Sequence, residues 1–182
     1  MDISLWSPAV RDVLTEERLM ELGPGRPHEM MRKKLGALSS QALFAPETVR
    51  RADYADACLA ALWLYHDFLD ESHAVSQSIS TVEGSLWHGI MHRREPDPSN
   101  AAYWFRRAGD HPIFVTLATD VPGLGQLLGS ERWDPYHFID LCERHRGDGS
   151  PEEMTLRLVQ QREWELLFDW CYRRAHSSPQ GT

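Results

Sequence analysis

The chain has 182 residues, 42% of them hydrophobic, with seven tryptophans and a formal net charge of −8. A chain of that length fits one domain and can bury roughly 70% of the surface its unfolded form exposes, so its core needs no disulfides. The acidic balance argues against a nucleic-acid protein and against docking on anionic lipid, both of which rest on a basic face; any anion site must be built from local arginines.

Cys58, Cys142 and Cys171 are odd in number, widely separated and without CxxC spacing, as expected in a reducing compartment. Met1 to Val10 carries Asp2 and lacks the apolar core of a signal peptide. The longest apolar run, Ala57 to Tyr65, falls short of the ~20 residues that span a bilayer. The expectation is a cytoplasmic protein with a single domain over residues 1–182 and a polar tail from 177 to 182.

Ser7-Pro8 is a helix start, with Ser as cap and Pro at the first position, and the pattern predicts a helix to about Leu22, stopped by Gly23-Pro24-Gly25. A short helix is expected over Pro27 to Leu38. From Pro46 to Ile79 the chain is rich in Ala and Leu, has no further Gly or Pro, and fits a period of 3.6, which predicts one long helix. Helices then follow over Glu83 to Arg94, and from the cap Asp97-Pro98 to Ala108 with Gly109 behind it. Residues 111–118 hold one short apolar run, Ile113 to Leu117, which reads as irregular or as a single strand. Gly123-Leu124-Gly125 reads as a turn. Asp134-Pro135 opens a helix stopped by Gly147, and Ser150-Pro151-Glu152-Glu153 opens the last, which runs to about Arg174. The fold class is mainly all-α, a compact helical bundle of about six or seven helices.

The chemistry-bearing residues concentrate between His66 and His111. At ~100° per residue, His66, Asp70 and His73 share one face of the expected long helix, where two imidazoles and a carboxylate suit a divalent metal. The alternative is buried histidines satisfied by neighbouring helices. His88 and His92, four apart, present two nitrogens from one face of the next helix. A zincin would carry Glu directly after the first His; Gly89 stands there instead, so a metalloprotease is not indicated. Because consecutive helices pack side by side, the five residues His66, Asp70, His73, His88 and His92 form a candidate metal set, suited to Zn or Fe.

Arg93, Arg94, Arg106 and Arg107 bracket that set, and guanidinium forks grip carboxylate or phosphate. The opposing reading pairs them with Glu95, Asp97, Asp67 or Glu71 as structural bridges. Glu71 and Glu95 are the acid–base candidates. Tyr103, Trp104 and Phe105 are expected in the core, with one of them able to wall a pocket, and His111 sits where it can cap one. The cysteines have no local activator.

The run Trp87-His88-Gly89-Ile90-Met91-His92-Arg93-Arg94-Glu95-Pro96-Asp97, with Ser99-Asn100, Tyr103 to Arg107 and the earlier Asp70-Glu71-Ser72-His73, resembles a pattern in a family of uncharacterised hypothetical proteins. The resemblance implies no activity. Three functional classes stay open on these residues: a metal-dependent enzyme acting on a small anionic metabolite, a non-catalytic helical module binding such an anion, and a structural or partner-binding protein with an internal His/Asp/Arg network.

Overall fold

A computed structural model describes residues 3–120 and 132–177. The turn expected at Gly123-Leu124-Gly125 and the tail from 178 to 182 lie outside the described residues. The architecture is all-α, with no strand among the described residues and ten helices in place of six or seven. In chain order they are α1 (Pro8–Val13), α2 (Glu29–Gly36), α3 (Ser40–Leu43), α4 (Ala52–Tyr65), α5 (Leu69–Ser76), α6 (Val82–Arg94), α7 (Pro98–Ala108), α8 (Pro112–Asp120), α9 (Pro135–His145) and α10 (Pro151–His176). None of them is long and apolar enough to cross a membrane.

Local capping chemistry places most of the helix starts. Ser7, Ser39, Thr81, Asp97, Asp134 and Ser150 each accept a backbone N–H in the first turn of the helix that follows. Four of those helices carry Pro in the first turn. The ends depart from expectation where tertiary contacts compete for the backbone. Helix α1 stops at Val13 rather than Leu22, and the chain beyond it is not helical. Its carbonyls serve buried or half-buried side chains instead: Leu19 O and Met20 O accept from Arg157, Glu21 O from Gln160 and Arg94, and Gly23 O from Arg94. A helical carbonyl is committed to the N–H four residues on, so this segment trades helix for tertiary bonds.

The same competition splits the helix expected from Pro46 to Ile79. Helix α4 ends at Tyr65, Asp67 takes a left-handed conformation with φ 63°, and α5 restarts at Leu69. Asp tolerates that conformation better than most residues. Leu64 O accepts from the Arg94 guanidinium at 2.7 Å, and the Asp67 carboxylate turns inward to Arg94 and, at 2.5 Å, to Arg18. Gly25 seals the other side: at φ 70° its Cα lies where a side chain would meet the Asp67 carboxylate at 2.6 Å.

Helix α8 occupies the stretch expected to be irregular or strand-like near 111–118. Its inward residues Ile113, Phe114 and Leu117 follow helical spacing, and it packs on α10. A lone apolar run with no strand to pair with satisfies its backbone internally by coiling. The long α10, about 39 Å at 1.5 Å per residue, forms the spine of the core. Trp164 and Phe168 on it stack at 4.9 Å, and Trp6, Tyr65 and Trp87 pack on Trp164. A ring of that size buries about 150–250 Å², worth about 4–6 kcal/mol of transfer free energy. The Trp164 indole N–H donates to Ala61 O at 2.9 Å, so its one polar atom is satisfied. All three cysteines are buried free thiols.

Helix α6 is buried from Glu83 to Arg94, lying among α4, α5 and α7. That placement brings its polar residues into the interior, where each must be neutral or paired.

Candidate metal centre

Helices α5 and α6 are consecutive and packed together, and their facing sides bring three imidazoles into one place. His73 sits in the last turn of α5, and His88 and His92 stand one turn apart on α6. One ring nitrogen from each lies within 4.8 Å of the others. The His73 ring centroid is 4.6 Å from that of His88 and 5.3 Å from that of His92. His88 is 2% exposed, His92 is buried, and His73 is half-buried, so the cluster reaches the surface through His73.

Each buried imidazole is held differently. His92 Nδ1 lies 2.9 Å from Glu95 Oε2. A carboxylate there takes the Nδ1–H and leaves Nε2 with its lone pair. The His88 ring lies flat against Trp104 of α7, centroids 4.0 Å apart at 23°, and its Nδ1 is buried without a hydrogen-bond partner. Burial, with smaller contributions from His92, His73 and the Arg107 charge, lowers the His88 pKa to about 4. His88 is therefore neutral near pH 7. The close approach of α7 depends on Gly89, where a Cβ would stand 3.0 Å from the Phe105 ring; any side chain there would push on the helix that carries Trp104.

Of the five residues expected to share a metal, His73, His88 and His92 converge. His66 and Asp70 do not join the described cluster. The break after Tyr65 ends the helical register on which their shared face depended. His66 caps α4 and points to the N-terminal segment, with Nε2 2.7 Å from Val13 O and Nδ1 3.3 Å from His28 Nδ1. Asp70 is exposed in the first turn of α5.

The arginines divide as cleanly. Arg93 is fully buried, 2.5 Å from Glu163 and over the Phe138 ring at 4.6 Å. Arg94 is fully buried on Asp67 and the carbonyls named above. Both are committed to the interior and have no exposed surface. Arg94 pairs with Asp67, as the structural-bridge reading allowed. Arg106 and Arg107 are exposed in the last turn of α7. Arg107 lies over the Trp104 ring at 5.1 Å and bears on His88, which puts it beside the imidazoles. Glu71 pairs with Arg32 across to α2, and Glu95 is engaged by His92.

Trp104 is the functional neighbour that spacing did not single out; its position sixteen residues after His88 carries no periodic signal and follows from the α6–α7 crossing. No family model, curated protein or solved structure matches the chain.

Proposed function

We propose that the chain is a metal-dependent enzyme acting on a small anionic metabolite, with a divalent transition metal held by His73, His88 and His92. The observation that carries this reading is the convergence of three ring nitrogens within 4.8 Å, one ring oriented by a carboxylate and another buried with an unpartnered nitrogen. A tetrahedral zinc site with Zn–N of about 2.0–2.1 Å sets its nitrogens about 3.3 Å apart, so small side-chain rotations bring the three onto one ion. Neutral imidazoles suit Zn or Fe, and three protein ligands leave a coordination position for substrate or water. Glu95 acts through His92 as a positioning residue. Arg107, exposed beside the cluster, is the group that would hold the substrate's negative charge.

The test is elemental analysis and zinc titration of the untagged full chain, prepared without a nickel column. About one equivalent per chain is expected, with affinity reduced at least about tenfold in His73→Asn, whose half-exposed position spares the core. No uptake by the folded protein removes the metal reading. Arg107, exposed beside the buried His88 ring, also favours a metal-free anion module. Thermal stabilisation by inorganic phosphate or citrate that survives removal of metal on a chelating resin would select that second reading.

A further inference from the structure

The two buried imidazoles on α6 differ in what fixes them before an ion arrives. His92 is oriented by Glu95, its Nδ1 2.9 Å from the carboxylate. His88 has no such carboxylate, and its Nδ1 is buried with no hydrogen-bond partner among the described residues. An aromatic face takes the place of that bond. The Trp104 indole lies flat against the His88 ring, centroids 4.0 Å apart and planes 23° from parallel. The lone pair of an imidazole nitrogen lies in the ring plane, so whatever sets the plane aims the lone pair. Turning the His88 ring about its Cβ–Cγ bond would drive its edge into the indole.

Helix α7 holds Trp104 there. Ala101, Phe105 and Ala108 are its buried residues, and Phe105 packs at Gly89, the residue after His88. Trp104 lies at the edge of that buried stripe and is half-buried, so its ring can be changed without opening the core. Arg107 lies over the same indole at 5.1 Å, which joins the ring that braces His88 to the arginine assigned to the substrate.

Building on the metal reading above, we propose that Trp104 is a positioning residue for the ion: it holds the plane of the His88 ring and grips that ring more strongly once the metal makes it positive. An imidazole bound to a dication carries part of the charge, and Trp offers a cation the best of the aromatic faces. The contact is therefore stronger with metal than without, unlike packing that serves only the fold. Zinc affinity reads that difference directly.

The test is zinc titration calorimetry of the full chain and two variants, with absorption spectra of their cobalt(II) forms. Trp104→Leu, which removes the face, should weaken zinc binding by about three- to tenfold, the span of one aromatic pair. Trp104→Phe, which keeps a weaker face, should recover most of that loss. The visible d–d absorption of bound cobalt reports ligand geometry; it should change in Trp104→Leu and match the wild type in Trp104→Phe. Trp104→Met takes the place of Trp104→Leu should the latter not fold. Zinc affinity unchanged by Trp104→Leu overturns the proposal and leaves the metal centre standing. So does an equal loss in Trp104→Phe, or weaker binding with a cobalt spectrum that does not move, the mark of a loosened helix. No zinc uptake by the wild type removes the metal reading itself, and this proposal with it.

Discussion

Arg94→Met separates a ligand-binding arginine from one that holds the fold. The substitution keeps an apolar stem of similar length and removes the charge from a side chain that is fully buried. It removes the bonds to Leu64 O at 2.7 Å, Glu21 O at 3.1 Å and Gly23 O at 3.2 Å, although Leu64 O keeps the Asp67 N–H and Glu21 O keeps Gln160. It also leaves the buried Asp67 carboxylate with only Arg18 among its two arginine partners. Removing one partner of a buried ion pair costs about 3–5 kcal/mol, a large part of a total stability of about 5–15 kcal/mol. With a urea m-value near 2 kcal/mol/M, the unfolding midpoint should fall by about 2 M. The seven tryptophans give a fluorescence readout. Asp67→Asn, tolerated at positive φ, completes a double-mutant cycle; the double variant should be milder than the sum of the singles by about 1–3 kcal/mol. Arg107→Met is the exposed control and should leave the midpoint where it is. A loss below about 1 kcal/mol in Arg94→Met, with an unchanged m-value, would refute the structural assignment, since exposed side chains cost that little.

Two further outcomes follow from the same geometry. Burial lowers the His66 pKa from 6.5 to about 4, partly opposed by its bond to Val13 O. Between those two values the unfolded chain takes up a proton that the folded one refuses, so stability is full above pH 6.5 and falls as pH drops toward 4, by roughly 3 kcal/mol from this group. His66→Gln should make that limb shallower, leaving the His88 contribution in place; an unchanged slope between pH 6.5 and 4 would show that His66 does not refuse a proton in the fold. Glu95→Gln should weaken zinc binding by about 10- to 100-fold without changing the number of ions bound, and equal affinity in isothermal titration would mean that Glu95 does not orient His92.

How much of this was legible depends on range. The caps Ser7-Pro8, Asp97-Pro98, Asp134-Pro135 and Ser150-Pro151 act over three or four residues, so they announce helix starts that the fold keeps. The pair His88 and His92 was readable because four residues make one helical turn, and His73 joined it because consecutive helices pack together. His66 and Asp70 were misplaced by a break that no local residue signals. Nothing between Ala52 and Ser76 is Gly or Pro, and Asp67 leaves the helix only because Arg94, 27 residues on, bonds both it and Leu64 O. Arg93 and Arg94 look alike in sequence to Arg106 and Arg107. The first pair ends a helix buried on every side and the second ends a helix open to solvent, and burial decides whether a guanidinium is a structural cross-link or a hand held out to a ligand.

By itself, then, the sequence determined an all-α chain, its helix starts, and the stretch where histidine chemistry gathers. Only the tertiary structure decided where helices stop, which three imidazoles meet, and which arginine remains at the surface beside them. The reason is energetic: a cap is satisfied within one turn of backbone, whereas a buried charge must find its partner wherever the fold supplies one, and it will open a helix to do so.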